Sequence, residues 1–326
     1  MKHKVLIAFE TFDEDRKIIE SELSEVAEII YVKNRRDVKR EIEDCEVVIC
    51  SWLSESEIAT ANKLRFVQTV MAGVDRFNFK LLKEKGIMLS SGKGCNAVPV
   101  AEHAMALILA LSKRIVEYDR EMKEGRWVGY TFETMLDDLW GKTLVILGYG
   151  NIGRELARMA KSFGMKIIGI KRSEPSVPYD EYADLLVSFE NIEKVLPEAD
   201  FLVILTPLTQ ETKGMIDESK LKLLKRSAFL INLGRGSVID ERSLYKALKE
   251  RWIRGAGLDV WWAYPPDPYT PSKLGIHLLE NVVATPHKGG WTREARRRCI
   301  KFAVKNVRRF LMGETPLNIV DYNRGY

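Results

Sequence analysis

The sequence predicts an α/β protein built of two doubly wound parallel-sheet domains. Three observations carry that prediction. Short β-branched runs alternate with amphipathic charged segments, the alternation starts afresh after one long apolar helix, and a glycine-rich turn joins a strand to a helix at the head of the second series. Strands separated by helical segments pair in parallel through right-handed crossovers.

Taken in order, residues 5–9, 29–32, 47–50 and 66–70 are apolar runs of buried-strand length, and 87–89 is a shorter fifth. Between them, 13–23 and 79–85 carry apolar residues three and four apart, the spacing of a helix with one buried face. Residues 101–122 read as one long helix, ending near Gly125, whose apolar first half must be buried. Strands follow at 143–147, 166–170, 184–187, 201–205, 228–232 and 256–260, with 282–284 as their last partner. A final helix over 292–312 is long enough to return to the first series. The expected division is therefore a discontinuous domain of 1–98 and 289–326, split by a second domain of 99–288.

Composition removes several function classes. A 46% hydrophobic and 30% charged chain of 326 residues is globular rather than disordered. No apolar run approaches the roughly 20 residues of a membrane span, so no membrane partner is expected. Met1-Lys2-His3-Lys4 passes straight into a strand without a signal-peptide core, which makes the cytoplasm the expected location. Cys45, Cys50, Cys95 and Cys299 lack zinc spacing, the first two flank an apolar run as buried thiols do, and with four histidines no metal site is expected. The net charge of +5 concentrates at Arg296-Arg297-Arg298 and Arg308-Arg309, which read as a solvated helix face. No aromatic-interleaved basic stretch accompanies it, so no nucleic-acid partner is expected. Lys, Arg and Glu abound while Gln occurs only at 68 and 210, a balance of thermophilic character.

The strongest local signal is Gly148-Tyr149-Gly150-Asn151-Ile152-Gly153, directly after a strand and opening a helix. Gly148 permits the tight turn, Gly150 lets the backbone approach a pyrophosphate, and Gly153 allows close helix–strand packing. The helix N-terminus adds N–H donors and partial positive charge. This is the Rossmann-like dinucleotide turn. The next strand leads into Lys171-Arg172-Ser173, where NAD enzymes place a carboxylate for the ribose hydroxyls. Two cations and a hydroxyl suit a 2′-phosphate instead, so NADP is favoured over NAD.

Further stretches carry a resemblance. Leu230 to Asp240 (LINLGRGSVID), Gly257-Leu258-Asp259-Val260 and Asn281 to His287 (NVVATPH) stand in order behind the glycine turn. Gln68 to Asp75, Asn96 to His103 and Thr206 to Thr212 support them. Together they resemble the D-isomer-specific 2-hydroxyacid dehydrogenases, of the glyoxylate and hydroxypyruvate reductase kind, over nearly the whole chain.

The chemistry such an enzyme needs has candidates here. Reducing a 2-oxo acid takes a proton donor at the ketone oxygen and a cation to orient the carboxylate. His287 follows the last strand, where active-site loops gather, and imidazole titrates near working pH. Arg235 offers a planar fork of donors between two glycines that allow close ligand approach. By resemblance, Ala72, Gly73 and Val74 offer backbone N–H groups to the substrate carboxylate; Asn96 either lines the pocket or forms a turn. Asp259 contacts the nicotinamide end, and Asn151 and Ile152 the pyrophosphate. Thr206, Pro207, Thr212, Leu233, Gly234 and Gly289 complete the implied cofactor contacts. Met71 and the Trp261-Trp262 pair suggest a small apolar pocket. The resemblance also implies a homodimer that buries the apolar face of residues 101–111.

One departure stands out. The family carries a Glu before a Pro, after the Leu-Asp-Val run, to hold the histidine in its charged form; here Tyr264 takes that place. A neutral phenol orients imidazole but does not stabilise imidazolium as a carboxylate does. Asp267, beyond two prolines, is the alternative partner. The expected activity is NAD(P)-linked interconversion of a small 2-oxo and 2-hydroxy acid. The alternatives are a dinucleotide-sensing protein of the same fold with degraded catalysis, and a formate-type dehydrogenase.

Overall fold

The computed structural model describes residues 2–32 and 34–326; Met1 of the N-terminal reading lies outside them. The chain forms two compact units, Met1–Asn96 with Thr292–Tyr326, and Ala97–Trp291.

The first unit is a five-stranded parallel sheet of β1 (His3–Ala8), β2 (Ala27–Tyr31), β3 (Val47–Cys50), β4 (Phe66–Thr69) and β5 (Met88–Ser90), ordered β2-β1-β3-β4-β5. Strand alternation divides its core. Val5, Ile7, Val47 and Ile49 face the helices Asp13–Leu23 and Arg293–Leu311 through Ile19, Leu23, Ile300, Ala303, Val304 and Val307. Leu6, Ala8, Val48 and Cys50 face the opposite layer. Buried Asn306 ties the C-terminal strand-like tail down, donating to Gln68 Oε1 at 2.7 Å and Ser90 Oγ at 2.9 Å and accepting from Leu317 N at 2.7 Å. A disulfide, Cys95–Cys299, with Cα atoms 5.1 Å apart, joins the end of the unit's first stretch to the returning helix. Cys45 and Cys50 are free and buried, as expected.

The second unit is a seven-stranded parallel sheet: β6 (Thr143–Leu147), β7 (Lys166–Lys171), β8 (Leu185–Ser188), β9 (Phe201–Ile204), β10 (Phe229–Asn232), β11 (Gly255–Leu258) and β12 (Val282–Ala284). Its order is β12-β11-β10-β9-β6-β7-β8, so the chain reverses direction across the sheet between β6 and β9. Ligands of open α/β sheets bind outside the strand C-termini at such a switch point.

Two expectations about the long helix need correction. It is two helices, Ala97–Ser112 and Ile115–Lys123. Between them Arg114 takes φ 48°, with its guanidinium on Glu117 and Lys113 Nζ donating to the carbonyl of Asp137 at 2.5 Å. No Gly or Pro marks that turn, so nothing in the sequence announced it. Nor does the apolar face of 101–111 wait for another subunit. Ala101, Ala104 and Ile108 are fully buried inside the unit against Leu156, Ala157 and Ala160 of helix Asn151–Ser162 and against Ile231. The exposed apolar residues come later: Ile115, Trp127, Tyr130, Phe132, Met135 and Trp140 are each more than half exposed.

Candidate active site

At the switch point, Gly148 has φ 99°, and a Cβ there would lie 2.8 Å from Thr206 N. A Cβ on Gly153 would meet the carbonyl oxygen of Gly148 at 2.9 Å. Gly150, by contrast, has open space around its Cβ position, room that a bound phosphate needs. Helix Asn151–Ser162 begins there without a side-chain cap, which leaves its first N–H groups for an anion. Thr206 Oγ1 is buried with no partner among the described residues. A buried hydroxyl left unsatisfied is unfavourable unless a ligand completes it. These features fit a dinucleotide.

Tyr149, a structural residue the motif does not announce, locks this turn. Its hydroxyl donates to Asp180 at 2.8 Å, and its ring lies where a Cβ on Gly169 would stand, 2.6 Å away. Burial, then the Asp180 carboxylate, push the phenol's pKa up, so it stays a donor. At the end of β7 and just after it, Lys171, Arg172 and Ser173 are exposed. Arg172 Nη2 donates to Glu211 Oε1 at 2.7 Å.

The Arg235 loop is fixed by backbone approach. A Cβ on Gly234 would lie 2.6 Å from Thr206 O, and one on Gly236 2.3 Å from the Trp261 backbone, so only glycine fits on either side. Fully buried Asn232 accepts from Gly234 N and donates to Arg235 O, both at 3.0 Å. Arg235 Nη1 donates to Gly234 O at 2.8 Å.

His287 is exposed, at φ 57°, in the left-handed region that disfavours a side chain. The turn holding it hangs on buried Asp259, which accepts from Thr285 Oγ1 at 2.6 Å, Lys288 N at 2.8 Å and Gly289 N at 2.9 Å. Such residues persist only where surrounding structure over-determines them, and they cluster at functional sites. The Tyr264 ring lies 5.5 Å from the imidazole, tilted 45°, with its hydroxyl oxygen accepting from Trp261 N at 3.1 Å. Asp267 caps its own turn instead, accepting from Tyr269 N at 2.8 Å. The tryptophans serve as pins: Trp261 Nε1 donates to Thr285 O and Trp262 Nε1 to Ile239 O, both at 2.9 Å. Trp261, Tyr264, Pro271, His277 and Pro286 line a cavity of about 380 Å³.

In the first unit, the turn after β4 is braced by Met71 N donating to Thr69 Oγ1 at 3.1 Å. It packs so closely on Gly92 that a Cβ there would meet Val70 O at 2.8 Å. The N–H groups of Ala72, Gly73 and Val74 make no hydrogen bond among the described residues. Asn96 Oδ1 is likewise buried and unpartnered among them.

The switch-point sheet and its glycine turn define a dinucleotide-binding α/β protein. Residues 105–289 match the family described as D-isomer specific 2-hydroxyacid dehydrogenase, NAD binding domain. The chain is 38% identical over 297 residues to glyoxylate reductase of Korarchaeum cryptofilum, covering 88% of this chain and 86% of that one. Among solved structures, D-lactate dehydrogenase from Aquifex aeolicus, complexed with NAD and lactic acid, superimposes with a TM-score of 0.81 at 26% identity over 96% of both chains. An acyclic imino acid reductase (Bsp5) in complex with NADPH and D-Arg superimposes with a TM-score of 0.83 at 26% identity, covering 98% of this chain and all of that one. The chain therefore belongs to the D-isomer-specific 2-hydroxyacid dehydrogenases, and it is an NAD(P)-dependent oxidoreductase of small 2-hydroxy acids.

Proposed function

We propose that the protein reduces a small 2-oxo acid, such as glyoxylate or hydroxypyruvate, with NADPH preferred over NADH. The observation that carries the reading is the His287 turn, strained and triply anchored on a buried carboxylate at the strand C-termini of the sheet that holds the glycine turn. Bound to the second unit, the nicotinamide supplies or accepts the hydride. The N–H groups at 151–153 and Thr206 Oγ1 hold the phosphates, while Lys171, Arg172 and Ser173 take the 2′-phosphate. Arg235 orients the substrate through its guanidinium. His287 gives its proton to the ketone oxygen during reduction and takes it back in the reverse direction. Tyr264 positions the imidazole. Ala72, Gly73 and Val74 are assigned to the substrate carboxylate on their unpartnered N–H groups, and Asn96 to the pocket lining. On this reading 99–288 is the dinucleotide domain, and 1–98 with 289–326 the substrate domain.

The working form is assigned as a cytoplasmic homodimer. The exposed apolar residues between Ile115 and Trp140, not helix Ala97–Ser112, support a contact between subunits. Among the described residues no helix is long and apolar enough to cross a membrane.

A second reading rests on Tyr264. Formate oxidation removes no hydroxyl proton, so it tolerates a histidine whose charged form lacks a carboxylate partner. A panel of 2-oxo acids with NADPH and NADH, run beside formate with NADP⁺ and NAD⁺, separates the two. Turnover of glyoxylate or hydroxypyruvate is expected. Turnover of formate alone would replace the reading.

A further inference from the structure

We propose that His103 is a positioning residue for Asp259, and that its protonation makes the enzyme's relative affinity for oxidised and reduced cofactor depend on pH. The inference rests on the reading above that Asp259 contacts the nicotinamide end.

Three elements of the second unit bring three side chains together. His103 lies on helix Ala97–Ser112, Asp259 follows β11, and Thr285 follows β12. His103 Nε2 is 3.0 Å from Thr285 Oγ1 and 3.5 Å from Asp259 Oδ1. Gly289 lets the ring come this near, for a Cβ there would stand 3.0 Å from Asp259 Oδ2 and 3.3 Å from His103 Cδ2.

The direction of the relay follows from proton counting. A carboxylate only accepts, so the Thr285 hydroxyl spends its one proton on Asp259 at 2.6 Å. Its bond to the ring is then one in which His103 Nε2–H donates. Nε2 is thus the ring's donor to the relay. A carboxylate has about four acceptor positions, of which Thr285, Lys288 and Gly289 take three. One position on Oδ2 remains for an outside donor such as a carboxamide N–H.

The charged groups around the ring leave Asp259 as its electrostatic partner. Glu102, next to it on the helix, is exposed. On the facing helix Asn151–Ser162, Arg154 pairs with Glu181, Arg158 with Glu155 and Lys161 with Asp184. No charged residue lies on the adjoining strands β10, β11 or β12. In the turn after β12, Lys288 Nζ lies over the Trp291 ring and the imidazole of His287 is exposed.

The sign follows. The oxidised nicotinamide ring is a cation and the reduced ring is neutral. With His103 neutral, the Asp259 carboxylate stabilises the cation. With His103 charged, that field is cancelled at 3.5 Å, so acid weakens binding of the oxidised form and spares the reduced one.

The test is titration of the intact protein with NADP⁺ and with NADPH by calorimetry, from about pH 5.5 to 8.5, the range in which imidazole changes charge. The ratio of the oxidised to the reduced Kd is expected to rise about ten-fold as pH falls, the effect of one unit of coupling. His103→Gln keeps an N–H donor without a titrating group and should flatten the ratio near its high-pH value. His103→Asn, likewise without a titrating group, should flatten it as well and serves should the first variant fail to fold. His287→Ala should retain the slope. A flat ratio in the unmodified protein, a slope that survives in His103→Gln, or one that vanishes in His287→Ala would overturn the proposal. Failure of the underlying reading looks different: Asp259→Asn would then leave NADP⁺ binding unchanged, or neither form would bind.

Discussion

Tyr264 is the side chain placed beside the proposed acid/base, His287. Its ring sits against the imidazole of His287, and its oxygen is held by Trp261 N. On the proposed roles, a phenol in this place orients the histidine without favouring its charged form. Reduction should therefore lose rate with rising pH earlier than it would with a carboxylate there. Tyr264→Glu should move the falling limb of the kcat/KM profile for 2-oxo acid reduction to higher pH, each unit corresponding to about 1.4 kcal/mol of added preference for imidazolium. A profile that stays put would exclude Tyr264 as the histidine's partner. The proposed cofactor preference is also testable at single residues. Arg172 already shares its guanidinium with Glu211, so a 2′-phosphate competes with that carboxylate. Arg172→Ala should cost several-fold in NADPH affinity with little change for NADH. Glu211→Gln should strengthen NADPH binding. Fluorescence titration of both cofactors reads both changes.

Among the elements, the Arg235 loop and the Asn306 network show what packing demands of particular residues. Gly236→Ala would drive a Cβ into the Trp261 backbone. The loop would have to move, and kcat/KM should collapse while the glycine turn, at the far side of Thr206, still binds dinucleotide. Asn306→Leu leaves Gln68 Oε1 and Leu317 N without partners in the core, and a loss of roughly 2–4 kcal/mol in chemical denaturation is expected. The sequence displayed the strands well because each is a short apolar run bounded by polar turns. Residues 47–50, 143–147 and 282–284 were read to the residue. It also offered Gly148, Arg235 and His287 as candidates, on residue type and on their places after strands. The break at Arg114 was illegible, because a left-handed residue without Gly or Asn leaves no local mark. Tyr149 and Asn306 were illegible for another reason. Each acts through partners distant in sequence, and an isolated polar residue beside an apolar run has no period to betray it. The apolar face of 101–111 misled for a related cause: composition shows that a face is buried, not which surface buries it.

For the molecule as a whole, the Cys95–Cys299 bond closes a sequence separation of 204 residues. Chain-entropy arguments put the stabilisation from so long a loop at up to about 5 kcal/mol. Cys95→Ser should lower Tm measurably, and a Tm unchanged under non-reducing conditions would mean the bond does not form in solution. Burial pushes the Cys45 thiol up to about 11 and raises Cys50 as well. A thiol reagent at neutral pH should find both inert until the chain unfolds. Assembly is read by sedimentation, where a dimer is expected at micromolar concentration. Trp127→Ser with Phe132→Ser, both far exposed, should weaken it. The central claim is that this protein moves a hydride between a nicotinamide and the C2 carbon of a small 2-oxo acid, with His287 handling the proton. NADPH deuterated at the transferring C4 position, incubated with hydroxypyruvate, tests it directly. Deuterium should appear at C2 of D-glycerate by mass spectrometry, and His287→Ala should bind the cofactor yet yield no labelled product. Unlabelled product, no product from protein that binds NADPH, or equal labelling by His287→Ala would contradict the account.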